Sequence, residues 1–211
     1  MHENNPFETH YAEYDAWFDE NANVYASELA AVREVLPPPG DWVEIGVGSG
    51  RFASRLGIAV GIEPAEGIAT LARDRGVAVL RGKAECLPLQ TASVDAAFLM
   101  TTLCFVDDID RTFNEVSRVL RPGGHAIVGF IPADCPFGEL YCANPTDDRF
   151  FRHAMLHPRR RVFDAIEASG LTVERTVQTL TGPPEHANDR IEPPNAGHAR
   201  GSFVVVRAVK R

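Results

Sequence analysis

Strand-like and helix-like segments alternate from residue 41 to residue 131, and this alternation limits the fold more than any other feature of the sequence. The strand-like segments are WVEIGV, AVGIEP, VAVLRG, SVDAAFLM and HAIVGFI. The segments between them with helical patterns are RFASRL, AEGIATLARDRG and IDRTFNEVSRVL. Strands that alternate with helices are joined by right-handed crossovers. The pattern therefore predicts an α/β fold with a mostly parallel sheet between two layers of helices.

The chain on either side of this core has a different pattern. Before it, apolar residues recur at helical spacing from Ala22 to Leu36, and the run PPPG is predicted to stop that helix. After it come a loop-rich insert, a helix in RRVFDAIEASG and two further strands in LTVERTVQTL and SFVVVRAVKR. Residues 181–200 are predicted to be a mobile hairpin loop between those strands. We expect one domain over 1–211, divided into segments 1–40, 41–131 and 132–211.

Composition excludes several classes of function. The 211 residues include 21 Lys and Arg against 29 Asp and Glu, a net charge of -8, which disfavours nucleic acid as a partner. No apolar run is long enough to cross a membrane, and no leader is recognisable, so we expect a cytoplasmic protein. Four scattered cysteines form no CxxC pair, so no metal or redox site is predicted. The oligomeric state is left open, with a homodimer as one option.

The stretch DWVEIGVGSGRF carries Gly46, Gly48 and Gly50 directly behind the first predicted strand. Glycines between a strand and a helix leave backbone N–H groups open to a nucleotide-like ligand, although a tight turn that needs positive φ would use them too. Glu63 follows the second strand, where a carboxylate can accept hydrogen bonds from both hydroxyls of a ribose. The two features together predict a nucleoside site.

The identity of that nucleoside depends on Glu44, which lies inside the first strand. The segment GSGRFA satisfies the GxGxxA pattern of dinucleotide sites, so NAD is an alternative. However, an extra negative charge does nothing for a pyrophosphate, and the glycines begin two residues too early for that motif. A carboxylate beside the loop suits a cationic ligand without phosphate, and S-adenosylmethionine is such a ligand.

Four segments resemble the class I S-adenosylmethionine-dependent methyltransferases, in the methyltransferase type 11 group that includes ubiquinone and menaquinone biosynthesis enzymes. They are VEIGVGSGRF, GIEPAEGIATLAR, KAECLPLQTASVDAAFLM and RVLRPGGHAIVGF, and they occur in the family's order within residues 41–131. The resemblance implies a Rossmann-like, doubly wound, seven-stranded and mostly parallel sheet with an antiparallel C-terminal hairpin strand. It also implies S-adenosylmethionine as the cofactor, and segment 41–131 as the part that binds it.

At the methionine end of the cofactor, the resemblance assigns contacts to the first loop and to strand four. The backbone at Gly46, Gly48 and Gly50 would lie against the methionine part. Glu44 would act on the ammonium group through the loop or a water, and the Thr101 carbonyl would accept from that group. The alternative for Thr101 is a residue that merely ends a strand.

At the adenosine end, Glu63 would bind both ribose hydroxyls and Pro64 would lie beside the adenine ring. The Ala84 backbone N–H and the Glu85 carboxylate would bind the adenine edge. Glu85 could instead be a solvated loop charge, and Glu63 an exposed neighbour of a helix N-cap.

An aromatic segment near the N-terminus, HYAEYDAWFDEN, has Tyr11, Tyr14 and Trp17 at helical spacing. It is similar to a YDxWF segment that covers the cofactor in related enzymes, so segment 1–40 is predicted to be a helical lid whose aromatic rings face the sulfonium. The alternative is ordinary packing.

The acceptor is predicted to be a small molecule, reached by in-line methyl transfer, because TTLCF stands where enzymes acting on nucleobases carry NPPY, and because the chain is acidic. No catalytic base is assigned. His153 and His157 have the spacing of metal ligands on a helix, but Ala154 and Pro158 argue against a metal site. The alternatives are a cofactor-binding regulatory protein without an acceptor, and an NAD-dependent oxidoreductase.

Overall fold

The computed structural model describes residues 5–143 and 149–211. Its strands are β1 (Trp42–Ile45), β2 (Val60–Glu63), β3 (Ala78–Arg81), β4 (Val94–Met100), β5 (Leu120–Phe130), β6 (Leu171–Thr179), β7 (Asn195–Ala196) and β8 (Phe203–Lys210). Its α-helices are α1 (Pro6–Thr9), α2 (Tyr11–Glu20), α3 (Ala22–Arg33), α4 (Arg51–Leu56), α5 (Glu66–Asp74), α6 (Ile109–Val119), α7 (Pro136–Ala143) and α8 (Arg159–Ala168). Short 3₁₀ helices lie at Leu103–Phe105, Phe151–His153 and Pro184–His186.

The strands form one sheet in the order β3-β2-β1-β4-β5-β8-β6-β7. Strands β1 to β5 run parallel, and β8 is antiparallel to both β5 and β6. The predicted Rossmann-like, doubly wound and mostly parallel sheet is confirmed. Because the strand order reverses between β1 and β4, a crevice opens at the carboxyl ends of these two strands, where open α/β sheets bind ligands.

The sheet has eight strands, one more than the sequence predicts. The extra strand, β7, has two residues, and its Ala196 pairs with Val177 of β6. It lies inside residues 181–200, which were predicted to be a hairpin loop, and so short a strand has no periodicity to detect. The same stretch is tied to α3 by the Asn188 side chain, which accepts from the Asn23 backbone N–H at 3.0 Å.

Apolar side chains cover both faces of the sheet. On one face, Phe113 of α6 and Ile166 of α8 are fully buried. On the other face, Val32 of α3 packs with Phe98 of β4 and Phe203 of β8. Residues 96–100 of β4 are all buried, as predicted for a central strand covered on both sides.

Helix α3 ends at Arg33, three residues before the predicted stop. The run of prolines begins at Pro37, and a proline disfavours helical backbone in the residue before it. The Val35 N–H instead bonds the Val32 carbonyl in a tight turn at 3.1 Å. Within the described part of the chain, no helix has the length and apolar character needed to cross a bilayer.

Candidate functional site

The loop after β1 needs glycine for two reasons. Gly46, Gly48 and Gly50 all have positive φ, at 70°, 52° and 78°. A Cβ at Gly46 would stand 2.4 Å from Thr102 Cγ2, and one at Gly50 would stand 2.9 Å from Ala72 Cα. Any other residue would be strained in its backbone at all three positions, and at Gly46 and Gly50 it would also collide with a neighbour.

Glu63 joins this loop to the end of β2. Its carboxylate accepts from the Gly48 N–H and from the Ala65 N–H, both at 3.0 Å. Burial raises the pKa of Glu63, and these two backbone hydrogen bonds oppose that rise. The glycine loop and Glu63, which the sequence analysis assigned separately to one nucleoside site, are thus in direct contact. Each carboxylate oxygen keeps a second lone pair for another donor.

Two more carboxylates are buried nearby. Glu44 of β1 is 2% exposed, its Oε2 has no hydrogen-bond partner, and burial raises its pKa well above the usual range. Glu28 of α3 is 3% exposed, and burial raises its pKa to about 8. The negative charge of Glu63 contributes to the raised pKa of Glu44. The charges of Glu28 and Glu63 in turn raise the pKa of Tyr14.

Buried carboxylates are costly unless a cation or hydrogen-bond donors compensate them. Among the described residues, the ion pairs include none formed by Glu28, Glu44 or Glu63. The site therefore has three buried acidic side chains beside a bare glycine loop, and a bound cation would favour their ionised forms. It fits a cationic ligand with a ribose and fits a pyrophosphate poorly.

Thr101 follows β4 with a φ of +52°, an uncommon value for a residue other than glycine. Its N–H donates to the Gly129 carbonyl at 2.8 Å, and its own carbonyl accepts from the Cys104 thiol at 3.2 Å. The Thr101 side chain is hydrogen-bonded to the Tyr14 hydroxyl. Thr101, the residue after β4, therefore lies against Tyr14 of helix α2.

The family of the protein is evident from comparison with known proteins. The family model described as "Methyltransferase domain" matches residues 43–128. A solved structure from Thermotoga maritima, described as a "SAM-dependent methyltransferase, possible histamine N-methyltransferase", is 42% identical over 97% of this chain and 98% of that one, with a TM-score of 0.92. This chain belongs to the class I S-adenosylmethionine-dependent methyltransferases. S-adenosylmethionine is its cofactor, and the ubiquinone and menaquinone subgroup stays a prediction.

Two further relatives belong to other organisms. An uncharacterized protein of Methanocaldococcus jannaschii is 32% identical over 206 residues, covering 98% of this chain and 99% of that protein. A malonyl-[acyl-carrier protein] O-methyltransferase of Methylococcus capsulatus is 30% identical over 170 residues, covering 75% of this chain and 62% of that protein.

The three aromatic residues predicted to form the lid of the methyltransferase lie in different surroundings on α2. Tyr14 contacts Thr101, and burial raises its pKa above the usual range. Trp17 packs edge-on against Phe18, with ring centroids 5.3 Å apart, and joins the apolar cluster on that face of the sheet. Tyr11 is half-buried at the first residue of the helix. Of the three, Tyr14 is the residue shown in contact with the end of β4.

Helices α1 and α2 are attached to the methyltransferase core by charged groups that the sequence analysis missed. The Glu8 carboxylate accepts from the Glu66 and Gly67 N–H groups at 3.1 and 2.8 Å, which caps α5. On α2, Asp15 accepts two hydrogen bonds from Arg51, at 2.9 and 2.8 Å. Burial raises the pKa of Asp15, but hydrogen bonds from Arg51 and other neighbouring groups lower it further, so that the pKa is about 2.

The residues predicted at the adenine lie on the loop after β3. Ala84 is buried, and the Glu85 carboxylate accepts from the Asp107 N–H at 2.6 Å, which joins this loop to the start of α6. Glu85 therefore has a structural partner and is more than a solvated charge. Pro64 is exposed directly after Glu63. The adenine contacts of these residues stay predictions.

A mostly apolar pocket lies beside Thr101, at the carboxyl ends of β4 and β5. Its polar lining residues are Thr101, Cys104 and His157, and its apolar ones are Leu103, Phe130, Ile131, Phe151, Leu156 and Val162. Within the described ranges, no cluster of three or more metal-ligand side chains is present, and the His153 side chain lies outside them.

Proposed function

We propose that this methyltransferase acts on a small molecule with an apolar body. The observation that carries the proposal is the pocket beside Thr101, whose lining is mostly apolar with a few polar groups, as is typical of small-molecule sites. When bound, S-adenosylmethionine supplies a methyl group that its sulfonium has already activated. The protein then has to orient the acceptor and exclude water.

The buried acids and the glycine loop are the groups we assign to the cofactor. Glu63 would hold the ribose hydroxyls, while Ala84, Glu85 and Pro64 would meet the adenine. Glu44 and the Thr101 carbonyl would serve the ammonium group, with the Gly46, Gly48 and Gly50 backbone against the methionine part. The support is the burial of Glu44 and Glu63 without a cationic partner and the hydrogen bond from Gly48 to Glu63.

Water exclusion is assigned to an aromatic cluster over the pocket. Phe7 of α1 packs against Tyr14, Phe105 and Phe150, with ring centroids 5.1, 5.2 and 5.5 Å apart. These rings come from the N-terminal helices, from the 3₁₀ helix after β4 and from the C-terminal third. A cover of this kind suits a small acceptor better than a polymer. The description of the Thermotoga relative makes a small amine one candidate.

The first test is calorimetry followed by a screen of acceptors. We expect S-adenosylmethionine and S-adenosylhomocysteine to bind and NADH not to bind. Small aromatic amines and phenols, with histamine included, should yield methylated products by mass spectrometry. Binding without turnover on any acceptor would favour a regulatory protein, and methylation confined to acyl groups on a carrier protein would contradict a free small-molecule acceptor.

The ribose assignment is tested by Glu63→Ala. Two charge-assisted hydrogen bonds would be lost, so we expect cofactor affinity to fall by roughly 1–3 kcal/mol. Glu66→Ala is the matched control, since this carboxylate lies three residues away and pairs with Arg73 on the surface. Calorimetry should show a change below twofold for Glu66→Ala. Equal affinities for wild type and Glu63→Ala would remove the assignment.

A further inference from the structure

His157 carries a buried nitrogen without a partner at the wall of the acceptor pocket. Among the described residues its Nε2 has no hydrogen-bond partner, and the atom is inaccessible to solvent. His157 is also among the residues that line the apolar pocket beside Thr101 and an outer, more open pocket bordered by Asp108 and Arg161. A buried polar atom without a partner is uncommon in a native protein, and this one belongs to a residue that borders both pockets.

The position of the ring is fixed by two anchors. The His157 carbonyl accepts from the Ala133 N–H at 2.9 Å, which ties it to the loop after β5. The Leu103 backbone, in the 3₁₀ helix after β4, lies beside the imidazole and raises its pKa. A carbonyl can only accept, so this neighbour favours a proton on the ring nitrogen closest to it. We take that nitrogen to be Nδ1, which leaves a free lone pair on Nε2 of the neutral ring.

The charged groups around His157 favour that neutral ring. Burial and the Arg161 guanidinium lower the pKa of His157, and Asp110 opposes them. The other titratable group of the apolar pocket is Cys104, whose thiol pKa burial raises to about 12. This thiol keeps its proton and donates it to the Thr101 carbonyl. Among the described lining residues of the apolar pocket, His157 is therefore the group able to accept a proton at neutral pH.

We propose that His157 is a catalytic residue whose Nε2 accepts the proton of a neutral O–H or N–H acceptor, an inference that rests on the proposed methyl transfer. The acceptor heteroatom bonds to the methyl carbon as the methyl–sulfur bond breaks, and the sulfur keeps that electron pair. The proton of the heteroatom passes to Nε2, which gives an imidazolium. The proton then leaves through the outer pocket, where Asp107 and Asp108 border the opening.

The lining of the pocket selects the chemical class of acceptor. Among the described residues that line the apolar pocket, none is a Lys, Arg, Asp or Glu, so we expect an acceptor to enter it uncharged. Methylation of a neutral hydroxyl or amine creates positive charge on the heteroatom, and an apolar wall cannot stabilise that charge. Transfer of the proton from the heteroatom to His157 removes this positive charge from the methylated product. The proposed acceptor is therefore a small apolar compound, such as a phenol or an aromatic amine, whose nucleophilic oxygen or nitrogen carries a hydrogen.

The first experiment needs no turnover. Protein labelled with ¹⁵N in histidine is saturated with S-adenosylhomocysteine, and phenol, aniline or toluene is added. The Nε2 resonance, assigned by its loss in His157→Gln, should show an unprotonated nitrogen in the free protein. Phenol or aniline should shift it, and toluene, which has the same ring without a donor, should not. A resonance that responds alike to all three probes overturns the inference.

The second experiment measures transfer to the same two donors. His157→Gln keeps the bulk of the side chain but cannot take a proton, so methylation should fall by about 10²–10⁴-fold. Affinity for S-adenosylhomocysteine should stay within twofold. Added imidazole should restore part of the rate in His157→Ala, and His186→Gln, at an exposed histidine, should match wild type. A His157→Gln enzyme as fast as wild type overturns the inference.

The two proposals fail in different ways. Wild-type protein that does not bind S-adenosylhomocysteine would remove the proposed site and its methyl transfer. Binding of S-adenosylhomocysteine together with an unresponsive Nε2 would leave the cofactor site standing and remove the role of His157 alone.

Discussion

The two sides of the cleft are built from different kinds of contact. On the cofactor side, the Gly46 and Val47 N–H groups donate to the Ile62 carbonyl at 2.8 and 3.0 Å, and Gly48 donates to Glu63. These residues lie close together in the sequence. On the acceptor side, Phe7 packs edge to face against Tyr14 and Phe105 and at a tilt against Phe150, so rings from three separate parts of the chain meet there. Main-chain contacts do not depend on which side chain is present, whereas ring contacts do. The acceptor side can therefore change without a change of fold.

The largest effect that separates the two sides is expected from Gly46→Ala. The added Cβ would have a strained φ and would collide with Thr102. We expect a loss of about 2–4 kcal/mol in the free energy of unfolding, measured with urea, and a loss of cofactor binding. Gly57→Ala is the control, because its φ of +74° is similar and nothing lies within 4 Å of the new Cβ. It should lose about 1 kcal/mol. Equal losses would show that packing against Thr102 is unimportant.

A pH effect is expected next, from Glu28→Gln. The pKa of Glu28 is about 8 in the fold, against an ordinary value of 4.5, so the folded state holds a proton that the unfolded state releases. Stability is full below pH 4.5 and falls as the pH rises toward 8, by roughly 1.4 kcal/mol per pH unit.

Glutamine does not ionise, so the stability difference between Glu28→Gln and wild type should grow by about 2 kcal/mol from pH 6 to pH 7.5 in urea titrations. Glu34→Gln provides the control, since this acid is exposed and paired with Arg175. A constant difference across this pH range would mean that Glu28 is ionised in the fold.

The smallest effect is expected from Phe7→Leu on the acceptor side. The variant loses edge-to-face contacts with Tyr14 and Phe105, which are worth about 1 kcal/mol together. We expect the KM for the acceptor to rise several-fold and cofactor affinity to stay within twofold, measured by steady-state kinetics and calorimetry. If Phe7→Leu lowered cofactor affinity as much as Gly46→Ala does, the distinction between the two sides would be wrong.

The cofactor side could be predicted because its determinants are local. Gly48 and Glu63 each follow a strand, and parallel strands bring their carboxyl ends together at one edge of the sheet. Two other groups, one beside the buried acids and one beside the apolar pocket, could not be predicted in this way. Glu28 looks like an ordinary residue of an amphipathic helix, and only the packing of α3 buries it. His157 drew attention for its spacing from His153, whereas the role we propose for it depends on its place beside the loops after β4 and β5.

The N-terminal helices show the same limit. Tyr14 and Trp17 have equally good helical spacing, but the rotation of α2 turns Tyr14 toward Thr101 and packs Trp17 against Phe18. Periodicity gives the face of a helix only when the partner surface is known. The Glu8 cap on α5 joins segments 58 residues apart, and no local pattern in the sequence signals it.

The position of β8 in the sheet has a consequence for the order of folding. This strand follows β6 in the sequence, yet it lies between β5 and β6 and is paired with both. During synthesis, β1 to β5 can associate as soon as they emerge, whereas β6 can pair with no strand longer than the two-residue β7 until residues 203–210 arrive. Pairings over such distances form slowly, and unpaired strand edges invite aggregation. We therefore expect newly made chains to be most vulnerable in the interval before β8 enters the sheet.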